Sequence, residues 1–96
     1  MQSYICLLRW THKGLEDIKD SPNRLDAARK MFESAGATMK QFYMVMGQYD
    51  MIAIVEATDD TAMAKAILST ARKGAIQTQT MRAFTETEYR SIVSNV

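Results

Sequence analysis

The sequence predicts an α+β domain of ferredoxin-like fold, with the element order β-α-β-β-α-β followed by a short C-terminal helix. Three observations predict it: four apolar or alternating runs have strand character, two segments between them repeat apolar residues at helical spacing, and turn or capping residues flank those segments. This order places the first and third strands at the centre of a four-stranded antiparallel sheet, with both helices on one face.

The first strand is predicted over Tyr4 to Trp10, a compact run of aromatic and branched residues that is typical of a strand buried on both faces. A polar connection follows. The first helix is predicted over Pro22 to Ala35, with Ser21 as its N-cap and the proline at the first helical position. Apolar residues recur along it at spacings of three and four, and Gly36 supplies a left-handed C-cap.

The middle of the chain predicts a hairpin and a second helix. Ala37 to Met46 and Met51 to Val55 are predicted strands, joined by the short turn Gly47-Gln48-Tyr49-Asp50. The second helix begins near Thr58-Asp59-Asp60, because these residues can cap a helix and their charges suit the positive end of its dipole. It ends at Gly74.

The last part of the chain predicts an edge strand and a terminal helix. Ile76 to Phe84 is threonine-rich and alternates in polarity, as a half-buried strand does. Thr85-Glu86-Thr87-Glu88 has the spacing of a capping box. The apolar residues that follow fit helical spacing, so a short helix is predicted; they are Tyr89, Ile92, Val93 and Val96.

Length and composition bound the class of protein. The 96 residues form a single predicted domain, 1–96, and a net charge of +1 from 12 basic and 11 acidic residues does not favour binding to nucleic acid. The only cysteine, Cys6, lies in an apolar run and is expected to be a buried thiol without a disulfide partner. The N-terminal residues lack an export signal and a membrane-spanning stretch, so a cytoplasmic protein without membrane contact is expected.

The predicted sheet would leave one apolar face bare. Its central strands are apolar on both sides, whereas the helices cover only one side. An exposed apolar surface of that extent usually marks an interface. We therefore expect a homodimer or higher homo-oligomer in which two sheets pair face to face, as in a dimeric α+β barrel.

The segment Met46-Gly47-Gln48-Tyr49-Asp50-Met51-Ile52-Ala53-Ile54-Val55-Glu56-Ala57, followed by Asp59-Asp60, resembles the signature of the GYD-domain family. The resemblance extends over nearly the whole chain, from the opening Tyr-Ile-Cys-Leu-Leu-Arg-Trp-Thr strand to the strand that contains Thr80. It implies a small ferredoxin-like protein, in a family without an established general activity.

The G-x-Y-D turn, the following helix and the threonine-rich last strand are also similar to the effector-binding RAM domain of Lrp/AsnC-type regulators. That resemblance implies oligomerisation and the binding of amino acids between subunits. Carried onto this sequence, it places ligand contacts at Gly47, Gln48, Tyr49 and Asp50 and near Thr78 and Thr80. No helix-turn-helix precedes the domain in this sequence, so such a regulator would act through a partner or as a free-standing sensor.

The residues of the same turn can also be explained without a ligand. Gly47 permits a positive φ, and Asp50 can accept backbone N–H groups within the turn. Tyr49 combines apolar area with a polar tip and would equally suit an interface between subunits.

Trp10 and His12 are the candidates for a cavity, because the end of the first strand would rim the space between sheet and helices. His12 is the only histidine and a weak candidate for a general base, while Trp10 would form a cavity wall. A metal site would need Glu16 or Asp17 as further ligands, and their spacing fits no known ligand pattern. No metal is therefore expected, and no cofactor is identified.

These residues lead to three hypotheses about function. The leading hypothesis is a non-enzymatic, oligomeric small-molecule-binding or regulatory module that uses the Gly47 to Asp50 turn and the fourth strand. The first alternative is a small dimeric α+β-barrel enzyme, of oxygenase or isomerase type, that uses the cavity near Trp10 and His12. The second alternative is a structural assembly subunit without a ligand.

Overall fold

Four antiparallel strands form one sheet in the order β2-β3-β1-β4 in the computed structural model, which describes residues 1–96. The strands are β1 (Gln2–Trp10), β2 (Ala37–Met44), β3 (Met51–Ala57) and β4 (Ile76–Ala83). The helices are α1 (His12–Glu16), α2 (Ser21–Ala35), α3 (Asp60–Ala71) and α4 (Glu86–Ser94), with a 3₁₀ turn over Ile18–Asp20. This is the predicted ferredoxin-like arrangement, with β1 and β3 at the centre, and that prediction is confirmed.

Local capping explains where the helices begin and end. Asp59 accepts the backbone N–H of Ala62 at 2.8 Å, which caps α3 as predicted. Gly36 adopts φ +94° at the end of α2, a conformation that glycine reaches without strain. The capping box of α4 is formed, because Thr85 and Glu88 each accept the backbone N–H of the other.

Two boundaries differ from the prediction. The connection after β1 contains α1, which is only five residues long and therefore shows no periodic pattern. Thr11 caps it by accepting the N–H of Gly14 at 3.1 Å. Ser21 is not the cap of α2 but its first residue, because the preceding 3₁₀ turn already brings Asp20 into the N-cap position.

The hairpin strands also differ in extent. β2 ends at Met44 rather than Met46, and β3 continues to Ala57. A bulge between Met39 and Gln41 shifts the pairing of the two strands. The last residues of the predicted second strand therefore belong to the loop that leads to β3.

The core lies between the sheet and the helices α2 and α3. Alternate residues of β3 point into it, and Val55 and Ala57 have no exposed surface. Phe32 from α2 and Ala66 from α3 pack against them. Cys6 is a free thiol buried in this core, as predicted.

The opposite side of the sheet, here called the open face, is covered by no helix. Its centre consists of residues that pair directly across neighbouring strands: Ile5 with Ile54, Leu7 with Ile52, and Ile5 with Met81. All five remain partly or largely exposed. The structure thus shows which strand face is bare, a choice that the sequence alone left open.

The terminal helix α4 does not pack onto the rest of the fold. None of its residues is buried, and no other element makes substantial contact with it. Tyr89, Ile92 and Val93 expose about half or more of their surface. No helix of the structure has the length and apolarity that crossing a membrane requires.

Candidate functional site

The loop between β2 and β3, residues 45–50, is fastened to the end of β1 by main-chain hydrogen bonds. Val45 donates its N–H to the carbonyl of Asp50 at 2.8 Å, and Asp50 donates its own N–H to the carbonyl of Leu8 at 2.9 Å. The Asp50 carboxylate Oδ2 accepts the backbone N–H of Trp10 at 3.0 Å. Asp50 therefore joins the loop to β1 from both its main chain and its side chain.

The tip of the loop stands in solvent. Gly47 adopts φ +144°, and a Cβ placed there would meet no atom within 4 Å. Backbone conformation rather than crowding thus favours glycine at this position. The neighbouring Met46 side chain is 95% exposed.

Arg9 connects this loop to the open face. Its Nε donates to the carbonyl of Gln48, and its guanidinium carbon lies 4.7 Å from the centroid of the Tyr49 ring. This stacking is a cation–π contact. Tyr49 in turn donates its hydroxyl to Oε1 of Gln79 on β4. The loop is therefore connected across two strands of the sheet.

The site contains one cation, Arg9, and one carboxylate, Asp50, which form no ion pair with each other. No carboxylate lies within ion-pair distance of Arg9, since the ion pairs of the structure join His12 to Glu16, Lys40 to Glu56 and Arg90 to Glu86. The backbone N–H groups of Gly47, Gln48 and Tyr49 donate to no protein acceptor. A guanidinium beside several unpaired N–H groups attracts an anionic group such as a carboxylate.

The predicted ligand contacts on the last strand lie elsewhere. Thr78 and Thr80 alternate with Gln79 along β4 and so face the opposite side of the sheet. Their hydroxyls lie 3.2 Å apart, and Thr80 Oγ1 lies 3.8 Å from the Cys6 sulfur. Within one copy of the chain, the structure brings Gln79 to the loop and leaves these two threonines on the helix side.

Trp10 and His12 have different surroundings, because Trp10 ends β1 and His12 begins α1. Trp10 donates its indole N–H to Ser21 Oγ at 3.3 Å and lines a cavity between the sheet and the helices. The His12 side chain is 88% exposed, pairs with Glu16 at 2.6 Å and does not line that cavity. No cluster of three or more His, Cys, Asp or Glu side chains could hold a metal ion.

Arg9 and Gln79 are residues of the site that the sequence did not indicate. Both lie in strands whose two faces have similar polarity or apolarity, so their side is undetermined without strand pairing. The position of Arg9 in β1 could have indicated it. Ile5, Leu7 and Arg9 are alternate residues of the strand, so their side chains lie on one face of the sheet.

The chain is similar to several known proteins. Residues 4–93 match the GYD domain family. The glutamine synthetase and cystathionine beta-lyase binding protein of Thermus thermophilus is 32% identical over 84 residues, which are 86% of this chain and 88% of that protein. The predicted family resemblance is thereby confirmed.

Solved structures share the fold. A feast or famine regulatory protein from M. tuberculosis, complexed with L-methionine, matches with a TM-score of 0.67 at 13% identity over 88% of this chain. The match spans 51% of that protein, about half of its length. A hypothetical protein from Pyrococcus horikoshii matches with a TM-score of 0.56 at 25% identity over 90% of this chain and 93% of the other.

At 13% identity the first of these likenesses shows the fold alone. The family match is of a different kind, because it covers almost the whole chain and includes the Gly47 to Asp50 loop. This chain belongs to the GYD domain family.

Proposed function

We propose that this protein is a homo-oligomeric regulatory module that binds a small zwitterionic metabolite, of the free amino acid class, at the loop 45–50. One observation carries the proposal: the Arg9 guanidinium has no carboxylate partner and lies beside a loop with several N–H groups that have no acceptor. Together they provide a site for a ligand carboxylate.

The Asp50 carboxylate supplies the complementary charge. Its Oδ2 is occupied by the Trp10 N–H, while its Oδ1 has no protein donor. A ligand ammonium can therefore donate to Oδ1, and the ligand carboxylate can accept from the Arg9 Nη groups and the loop. Tyr49 offers an aromatic wall for the ligand side chain.

The open face supports an assembly in which this site lies at a subunit boundary. Arg9, Tyr49 and Gln79 all lie on the side of the sheet whose centre is the bare apolar cluster around Ile5 and Ile54. If a second copy covers that cluster, the three residues lie at the rim of the interface. Small-molecule sites occur preferentially at such boundaries.

The relatives support a regulatory role. The M. tuberculosis protein is a feast or famine regulatory protein complexed with L-methionine, and the Thermus protein is described as binding glutamine synthetase and cystathionine beta-lyase. We propose that this protein likewise couples a metabolite to contacts with a protein partner. The exposed apolar residues of α4 offer a surface for such a contact.

The enzyme alternative has less support from the structure. It requires a base that faces the cavity lined by Trp10, whereas the solvent-exposed His12 pairs with Glu16 outside that cavity. The alternative of an assembly subunit without a ligand is distinguished by the experiment below.

The experiment measures thermal unfolding of the purified protein with each L-amino acid at millimolar concentration, together with native mass spectrometry. We expect at least one amino acid to raise the melting temperature and to add its mass to an oligomer, because a ligand that binds the folded state stabilises it. Arg9→Gln should abolish the shift. Arg72→Gln, which removes an exposed arginine without an ion pair, is the matched control and should retain it.

If no amino acid shifts the melting temperature and the oligomer carries no added mass, the ligand proposal is wrong and the assembly function gains support. If Arg9→Gln and Arg72→Gln respond alike to the ligand, the ligand binds elsewhere and the site assignment is wrong.

A further inference from the structure

A second concave feature of the molecule is an interior cavity that is separate from the loop 45–50. It has a volume of about 130 Å³ and lies between the sheet and the helices α2 and α3. Of its 19 lining residues, 15 are hydrophobic, among them Cys6 from β1, Phe32 from α2 and Ile67 from α3. The cavity opens to the surface, and because protein interiors pack to the density of organic crystals, it is space that a ligand group can fill.

The size of the cavity suits a single small apolar group. A cavity of about 150 Å³ with an aliphatic and aromatic lining is known to take up benzene and to exclude water. The present cavity has a comparable volume and lining. A water molecule would find few hydrogen-bond partners on such walls, so a hydrocarbon group is the better occupant.

The polar lining residues are gathered at one end. Ser21 and Arg24 come from the beginning of α2, while Thr70 and Lys73 come from the end of α3 and the residues just after it. Both helix ends lie near the Trp10 end of β1, because the Trp10 indole donates to Ser21 and Trp10 pairs with Ile76, shortly after α3. The cavity therefore has an apolar body and a polar mouth.

The two charged residues that line the cavity, Arg24 and Lys73, are both positive, and Lys13 lies beside Lys73. Arg24 donates to the carbonyls of Asp17 and Gly14 at 2.8 and 3.0 Å, and Lys13 donates to the carbonyl of Lys73 at 3.0 Å. None of the three cations has a carboxylate within ion-pair distance. No Asp or Glu lines the cavity.

We infer that this cavity is a binding site for a small apolar carboxylate, whose single ring or branched alkyl group fills the interior while its carboxylate lies near Arg24 and Lys73. The inference does not rest on the proposed function, because it uses a different part of the molecule. A ligand of this class needs no ammonium group. The apolar body and the cationic mouth together select for it.

The experiment uses methionine methyl NMR on the intact protein, with phenylacetate as the probe and 2-phenylethanol as a neutral probe with the same ring. Met31, Met39 and Met51 line the cavity, whereas Met46 lies at the tip of the loop 45–50. Phenylacetate is expected to shift the three cavity methyl signals and to leave Met46 unchanged. 2-Phenylethanol should bind several-fold more weakly, because it lacks the carboxylate.

Three variants sharpen the test. Lys73→Gln should weaken phenylacetate several-fold and leave 2-phenylethanol unchanged, while Lys65→Gln, an exposed lysine of α3 away from the cavity, should change neither. Ala28→Leu should fill the cavity and remove the response to both probes.

The inference is overturned if neither probe moves the cavity methyl signals of the unmodified protein. It is also overturned if phenylacetate and 2-phenylethanol bind equally well, since the mouth would then select no carboxylate. A shift confined to Met46 would place phenylacetate at the loop and likewise exclude the cavity. An amino acid that acts at the loop leaves the Met31 and Met39 signals in place, so this test and that of the proposed function fail independently.

Discussion

The Asp50 carboxylate accepts the backbone N–H of Trp10 at 3.0 Å, across the gap between the β2–β3 loop and the end of β1. One residue therefore fixes the loop to the sheet, while its second carboxylate oxygen, Oδ1, accepts from no protein donor. The structural and the ligand-binding interpretations of the Gly47 to Asp50 turn are therefore compatible. One carboxylate oxygen can hold the loop while the other binds a ligand.

Substitution of Asp50 separates these two roles. Asp50→Ala should lower the free energy of unfolding by about 1–3 kcal/mol, because it leaves the Trp10 N–H without its acceptor. Asp50→Asn keeps an oxygen for that N–H and should retain most of the stability, yet it removes the charge that a ligand ammonium needs. Urea unfolding measures the first effect, and ligand-dependent melting measures the second.

Asp26→Ala provides the control, since Asp26 is an exposed aspartate of α2 without an ion pair. It should change neither quantity. Equal stability losses for Asp50→Asn and Asp50→Ala would show that charge, rather than the hydrogen bond, holds the loop.

Hydrophobic periodicity predicted most of this fold because the elements are long enough to show a period. The helix α2 runs for 15 residues and β1 for nine, and caps such as Gly36 and Asp59 mark their ends. The five-residue α1 was missed because it is too short to show a helical period. Its cap, Thr11, is recognisable only when the helix is known.

For the candidate site, the sequence indicated the residues of the turn but not those that strand pairing brings to it. The G-x-Y-D turn is local in sequence, so Gly47 and Asp50 could be identified from it. Gln79 reaches Tyr49 only through the pairing of β1 with β4, which sets the side of the sheet that each residue of β4 faces. Such register is a property of the assembled sheet, and the contacts near Thr78 and Thr80 were carried over from the resemblance to the RAM domain instead.

A charge on the open face should disrupt assembly. Ile54 pairs directly with Ile5 in the centre of that face, so Ile54→Lys would place an ammonium where we propose that a second copy packs. Burying an unpaired charge in an interface is strongly unfavourable. Light scattering coupled to size-exclusion chromatography should therefore show a lower mass for this variant.

Ile92→Lys, on the exposed terminal helix, is the matched control and should leave the mass unchanged. Circular dichroism confirms that both variants are folded. A full-size oligomer of a folded Ile54→Lys protein would mean that the open face is not the interface.

Removal of α4 tests what the terminal helix does. A chain that ends at Phe84 should fold with a free energy of unfolding within about 1 kcal/mol of the full chain, because no residue of α4 is buried. The number of subunits in its oligomer should also be unchanged. Binding to a protein partner should be lost. Unfolding curves and light scattering measure the first two properties.

A drop in subunit number on removal of α4 would instead identify the helix as an assembly contact. The substitution Tyr89→Ala then distinguishes a specific contact from a general effect of shortening the chain, since Tyr89 is an exposed apolar residue of α4.

The buried thiol of Cys6 should react slowly with alkylating reagents and should lower the stability of the fold at high pH. Burial raises its pKa from 9.0 to about 11, although a hydrogen bond from Thr80 opposes the shift. At about pH 8 the thiolate population is then lower by about 100-fold than that of a free thiol, and the thiolate is the reactive form. Alkylation by iodoacetamide, followed by intact mass, should be slow in the folded protein and fast in urea.

The same shift predicts the pH dependence of stability. Because the pKa of Cys6 is higher in the folded state, its contribution is complete below pH 9.0 and is lost as the pH rises to about 11. Cys6→Ala should lack this component, so its unfolding free energy should fall less steeply over that range. Since the chain has one cysteine, the difference between the two slopes reports on this thiol alone. Identical slopes would mean that the folded protein admits water to Cys6, and the apolar lining of the cavity would then be open to solvent.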